Sequence, residues 1–351
     1  MITTTKHNQT TISKKVSLDG VGLHTGKDVK LTFYPSKSNT GYVFKRIDLE
    51  GEPIVEADIN FVTNTERGTC LNKSNVTIQT CEHVLASLVG LQIDNALIEL
   101  NASEPPIMDG SSKYFVQALE KAGIKQLNDK RKEFVVKNVI SFKDEESGSE
   151  ITVIPSKEYQ VTTMVDFGTK ILGTQNANLN SISNYIEEIS SSRTFSFLHD
   201  LEQLLENGLI KGGDLNNAII YVDKPLEESN MKKLKEAFGR KSIAVKPNGI
   251  LDNLTLNFPN EAARHKLLDV LGDLSLIGMP IRAKIIASKP GHKINTAFAK
   301  KVSSIISELK RKDVPQIDFS KDPVKDVNQI MEMLPPVSYT HLRAPRPYKI
   351  S

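Results

Sequence analysis

Apolar and polar positions follow two rhythms along the chain and divide it into three regions. In the first, from Met1 to about Lys130, VKLTFYP (29–35) alternates like a half-buried strand. A glycine-rich turn, GVGLHTG (20–26), precedes it. CEHVLASLVGL then predicts a helix, NALIELN a strand and SSKYFVQALEKAGI a second helix. The second region, about 131–312, opens on strand-like EFVVKNVISF and EITVIP. LEQLLENGLIKGG predicts a helix stopped by glycine, and NAIIYVD a strand. RHKLLDVLGDLSLIG, IRAKIIAS and TAFAKKVSSIISELKRK then read as helix, strand and helix. The third region, 313–351, is a tail. Within 313–335, Val327, Ile330, Met331 and Leu334 recur at helical spacing, and Pro335-Pro336 stops that pattern. Residues 336–351 have no apolar period and are expected to be disordered.

The first two regions run in the same order. Laying EHVLASLVGL on RHKLLDVLGD sets His83 on His265, Leu85 on Leu267 and Gly90 on Gly272. The match suggests an internal duplication, although amphipathic helices also match partly by chance.

Composition narrows the class. The 351 residues are 39% hydrophobic and 25% charged, enough for packed cores and roughly two domains of about 150 residues each. Two cysteines, Cys70 and Cys81, exclude a disulfide scaffold. Of the net charge of +3, all three come from Arg343, Arg346 and Lys349 near the C-terminus. The body is therefore neutral, and no nucleic-acid partner is expected. No apolar run approaches the roughly 18 residues of a membrane span. The opening MITTTKHNQTTISKK lacks the apolar stretch of a signal peptide. A cytoplasmic protein with reduced thiols is the expectation.

The histidines carry the candidate chemistry. His7 and His341 sit in polar terminal segments and read as solvated. His199, after Phe195 and Phe197, suits packing or the surface, and His24 suits either the turn's backbone or catalysis. His265 and Asp269 lie one turn apart on one helix face. That spacing fits either half of a divalent-metal site or a surface hydrogen bond. Glu82-His83 opens an apolar helix, where a carboxylate suits the helix dipole. The pair fits a capping acid beside a core histidine, or a general base beside a further ligand. Under the second reading, His83, His265 and Asp269 supply the three protein ligands of a catalytic zinc site, and Glu82 takes a proton during attack. His292, in KPGHKIN, reads as a loop histidine that either protonates a leaving group or has no role. Asp273, one turn beyond Asp269, could orient it.

Several stretches together carry a resemblance: GVGLHTG, TCEHVLASLVGLQIDNALIELN, PIMDGS, SSRTFSFLHDLEQLLENGLIKGG, RHKLLDVLGDL and KPGHKIN, spanning about 10–310. In this order they resemble the UDP-3-O-acyl-N-acetylglucosamine deacetylases, zinc amidases that catalyse the committed step of lipid A biosynthesis. The resemblance implies an α+β fold of two similar domains, 1–130 and 131–312, each a sheet layer with helices, the helices sandwiched between the sheets. It implies one Zn2+ on His83, His265 and Asp269, a position that Fe2+ could also take. It implies Glu82 as general base, and His292 as general acid with Asp273 behind it. Thr194 would help hold the oxyanion, Lys266 would meet the substrate's diphosphate, and Phe195 with the LEQLLENGLIKGG insert would receive the acyl chain. Two weaker alternatives are a zinc deacetylase of another N-acetyl sugar and a non-catalytic UDP-sugar binding module.

The tail carries a second resemblance. KDPVKDVNQIMEMLP is similar to the linker and opening helix of a 3-hydroxyacyl-[acyl-carrier-protein] dehydratase, which some Bacteroidota-type bacteria fuse behind the deacetylase. The similarity stops near residue 335, and VSYTHLRA resembles translated sequencing-adapter sequence. The expectation is a fusion cut near that point, with a dehydratase partner domain in the intact protein.

Overall fold

The structure is a computed structural model that describes residues 1–200, 217–223, 235, 244–252 and 254–312. The LEQLLENGLIKGG insert and the tail from residue 313 lie outside the described residues. The chain divides into two compact units, 1–307 and 308–351. Of the second, only the end of one helix is described.

The first unit contains two five-stranded sheets. One uses β2 (Val16–Val21), β3 (Asp28–Pro35), β4 (Tyr42–Arg46), β5 (Ile54–Glu56) and β9 (Ala96–Leu100). The other uses β11 (Ile140–Asp144), β12 (Ser149–Ile154), β13 (Gln160–Asp166), β14 (Thr174–Leu179) and β18 (Lys284–Ser288). Their spatial orders, β2-β3-β9-β4-β5 and β11-β12-β18-β13-β14, are the same. In both, the last strand enters the middle, antiparallel to the second and parallel to the third. The duplication read from the two helix sequences is thus a duplication of topology.

In each half a helix precedes the central strand and another follows it. They are α1 (Glu82–Gly90) and α2 (Lys113–Ala122) around β9, and α4 (Glu261–Ser275) and α5 (His292–Lys312) around β18. A short α3 (Tyr185–Glu188) lies between the halves in sequence. α4 packs on β13 and β14, and also on α1. At nine residues α1 is shorter than the ~12–15 residues an isolated helix needs in water. Packing holds it: eight of its nine residues are buried. Val84, Leu85 and Leu88 share the core with Leu267, Leu268, Val270 and Leu271 of α4. The helices touch backbone to backbone. A Cβ on Gly272 would stand 2.2 Å from the Glu82 carbonyl oxygen, so only glycine fits there.

Three sequence expectations change. The polar opening, with His7, forms a long strand, β1 (Ile2–Ile12), antiparallel to β10 (Ile124–Val135). Its threonines suit a strand, but the ladder to β10 forms it, and no apolar alternation announced that. β10 also runs unbroken through residues 130 and 131. His292, read as a loop residue, is the first residue of α5.

Candidate active site

The site lies where α1 meets α4. Glu82 and His83 open α1, and His265, Lys266, Asp269 and Asp273 follow along α4. His292 opens α5. All except Lys266 and His292 are buried to 6% exposure or less.

His83 Nε2 and His265 Nε2 lie 3.8 and 3.4 Å from Asp269 Oδ1. The two rings are perpendicular, with centroids 5.0 Å apart. His265 Nδ1 is 3.0 Å from the Ser192 carbonyl. A carbonyl only accepts, so Nδ1 carries the proton and Nε2 keeps its lone pair. Burial holds the His83 imidazole down at about 3, and neighbouring His265 adds to that. Burial likewise lowers His265. Burial opposes a charge on Asp269, but His265 and Lys266 keep its carboxyl well below the usual range. Near neutral pH the cluster is therefore two neutral imidazoles and a carboxylate, each in the protonation state a metal requires.

Asp269 Oδ1 is buried and has no hydrogen-bond partner among the described residues, whereas Oδ2 accepts from Lys266 Nζ at 2.8 Å. An unmatched buried carboxylate oxygen is costly. One ligand atom from each of the three residues lies within 4.8 Å of the others, so the three could hold a metal ion. Two imidazole nitrogens and a carboxylate oxygen suit zinc or ferrous iron.

Next to this cluster, Glu82 Oε2 accepts the Thr69 amide at 3.0 Å. Burial pushes the Glu82 carboxyl up to about 7; Asp273 and Asp269 push the same way and His292 opposes them. His292 Nδ1 donates to Asp273 Oδ2 at 2.9 Å. That aims Nε2 at Glu82 Oε1, 3.8 Å away, and at Asp269 Oδ2, 3.9 Å away. Burial works against a charge on His292, but Asp273 and Glu82 outweigh it and raise the imidazole to about 9. Both groups are thus raised, with Glu82 remaining below His292, the order that suits a base and an acid.

Thr194, Phe195 and Lys266 line a cleft of about 720 Å³ together with His24, Glu82, His83, Asp269 and His292. Phe195 belongs to an aromatic wall: its ring is 5.4 Å from Phe167, 6.3 Å from Phe197 and 5.8 Å from Tyr221. Lys266 Nζ sits 5.7 Å over the Phe195 ring while bonded to Asp269. His199 stacks on Phe197 and reaches Asp223 at 2.6 Å, in keeping with packing.

Sequence reading missed the residues that support this set. Thr69 and Asn295 both donate to Asp273. Buried Glu104 accepts the amides of His24 and Thr25 and the hydroxyl of Thr80, tying the glycine-rich turn to the start of α1. Arg193 and Glu261 form a buried ion pair at 2.8 Å, which fixes the segment carrying Ser192 and Thr194 to the first turn of α4. Thr69 is 204 residues from Asp273 in sequence, and no spacing rule joins them.

A model of the family described as LpxC, UDP-3-O-acyl N-acetylglycosamine deacetylase, matches residues 9–242 and 229–304. A "Bifunctional enzyme LpxC/FabZ" of Bacteroides thetaiotaomicron is 43% identical over 327 residues, covering 93% of this chain and 71% of that protein. One of the same description from Chlorobaculum tepidum is 40% identical over 331 residues, with the same two shares. A "UDP-3-O-acyl-N-acetylglucosamine deacetylase" of Campylobacter hominis is 36% identical over 311 residues, 88% of this chain and 95% of its own.

Proposed function

The chain belongs to the UDP-3-O-acyl-N-acetylglucosamine deacetylase family, and from that premise we propose that it hydrolyses the N-acetyl amide of UDP-3-O-(3-hydroxyacyl)-N-acetylglucosamine, releasing acetate, with zinc on His83, His265 and Asp269. The observation that carries the metal dependence is the buried, unpartnered Asp269 Oδ1 set between two neutral imidazoles. Bound there, a divalent cation supplies Lewis-acid polarisation of the acetyl carbonyl and of a water molecule.

The chain's own groups handle the protons. Glu82, held by the Thr69 amide, accepts a proton from the attacking water at Oε1. The water oxygen bonds the acetyl carbon as that proton leaves. His292, kept charged by Asp273, then donates from Nε2 to the amide nitrogen. The C–N bond breaks, leaving acetate and the free amine. General acid–base steps of this kind contribute about 10²–10⁴-fold each. Thr194, on the cleft wall, is assigned to the developing oxyanion. Lys266 is assigned to the diphosphate and the aromatic wall around Phe195 to the acyl chain. The expected setting is the cytoplasm. In it, this chain would be the deacetylase part of a bifunctional protein whose partner domain is a dehydratase; the Bacteroides and Chlorobaculum relatives are named bifunctional LpxC/FabZ enzymes.

The test is acetate release from the acylated UDP sugar, with chelator and after zinc is restored. Turnover that stops with chelator and returns with zinc supports the reading. Full turnover in chelator overturns it.

A further inference from the structure

Thr69 lies just before strand β7 (Cys70–Lys73) and is fully buried. Its amide donates to Glu82 Oε2 at 3.0 Å, and its hydroxyl donates to Asp273 Oδ1 at 2.5 Å. With that proton on Asp273, the hydroxyl oxygen accepts from His292 Nδ1, 3.3 Å away. The Thr69 carbonyl takes the amide and thiol of Cys81, each at 3.3 Å, at the foot of α1. One residue thus holds the base with its backbone and the acid's carboxylate with its side chain. Gly68 adds to the fit: a Cβ there would stand 3.0 Å from Glu82 Oε1 and crowd the base.

We propose that Thr69 is the positioning residue that keeps base and acid apart and aimed. The inference rests on the reading of Glu82 as base and His292 as acid. Glu82 Oε1 and His292 Nε2 stand 3.8 Å apart, beyond a hydrogen bond. Opposite charges that close would collapse into a direct ion pair and waste both proton positions, were each not anchored from behind. Asp273 is the anchor of His292: its Oδ1 accepts from Thr69, and its Oδ2 from His292 and Asn295. Without the hydroxyl, Oδ1 loses its only hydrogen bond among the described residues. Asp273 then turns, and His292 Nε2 swings toward Glu82.

The experiment uses the full, zinc-loaded chain and the variants T69V, T69A and T69S, with E82A and H292A alongside. T69V is expected to lower kcat about 10–100-fold, the usual range for a residue supporting a ligand or catalytic group. KM should change less than about twofold, because Thr69 does not line the cleft. T69S, which keeps the hydroxyl, should restore most of kcat. The proton NMR spectrum gives a second readout. The far-downfield His292 Nδ1–H resonance, identified by its loss in H292A, should shift or broaden in T69V and return in T69S. Folded T69V with full kcat and an unmoved resonance overturns the proposal, as does T69S no better than T69V. Unfolding of both T69V and T69A would make Thr69 a strut only, and would also overturn it. If E82A and H292A themselves keep full rate, it is the acid–base reading that fails.

Discussion

The sheet of residues 16–100 and the sheet of residues 140–288 have the same strand order and directions, yet the helices entering their central strands carry different chemistry. The first helix brings Glu82 and His83 side by side at its N-terminus and is apolar afterwards. The second carries His265, Asp269 and Asp273 one turn apart along a buried face. With His83 laid on His265, Ser87 falls on Asp269 and Leu91 on Asp273. One copy holds one proposed ligand and the proposed base, and the other the remaining proposed ligands and the carboxylate behind the proposed acid. Neither half contains a site. The duplicated scaffold supplies the crossing of two helices, close enough at Gly272 for donors from both to meet. Divergence at a few helix positions supplies the rest.

If the metal needs both halves, removing a ligand from either should have the same, largest effect. H83A, H265A and D269A should each lose tightly bound zinc, measured as metal content after desalting, because two protein ligands hold little. A full equivalent retained in any one of them would remove that residue from the site.

The proton chemistry divides across the same seam. E82A and H292A should each keep zinc and lose about 10²–10⁴-fold in kcat. Activity needs Glu82 without its proton and His292 with its own. The profile of kcat/KM should therefore rise as Glu82 ionises, at or below about 7, and fall as His292 deprotonates, at or below about 9. E82A should lose the rising limb and H292A the falling one. An unchanged bell in both would break the division of roles.

The sequence carried the site better than the fold. The spacing of the candidate residues is local: His265 and Asp269 are four apart, Glu82 and His83 adjacent, and a helix period turns those intervals into geometry. The repeat was legible for the same reason, since two amphipathic helices with the same glycine align residue by residue. The parts that were hidden depend on long-range pairing. β1 is polar and exists through its ladder to β10. Thr69 meets Asp273 only after two sheets have folded. Glu104 looks like any loop acid until donors from three residues converge on it. His292 was legible as a candidate for the site but not as the start of a helix, because Pro290-Gly291 before it reads equally as a turn.

Smaller effects sharpen the seam itself. G272A places a methyl 2.2 Å from the Glu82 carbonyl oxygen, against backbone that cannot swing away. It should cost about 1–3 kcal/mol of stability and also lower kcat, read by denaturant unfolding and initial rates. Loss of stability with kcat intact would show that the crossing does not set the position of Glu82. K266A should raise KM for the UDP substrate by about tenfold, the scale of one charge-assisted hydrogen bond of roughly 1.5 kcal/mol, and change kcat less. A loss in kcat alone would tie Lys266 to the chemistry through Asp269. The smallest effect is expected at the C-terminus. A chain ending at Lys312 should keep kcat/KM and melting temperature nearly unchanged if residues 313–335 are linker. A loss of more than about tenfold would make the tail part of the deacetylase.

X-ray absorption at the zinc edge of the loaded protein reads the ligand set directly. Ligation by His83, His265 and Asp269 predicts nitrogen and oxygen neighbours only, at about 2.0–2.2 Å, with outer-shell scattering from two imidazoles. A sulfur neighbour at about 2.3 Å, which only Cys70, Cys81 or a methionine could supply, or an imidazole number other than two, would contradict it.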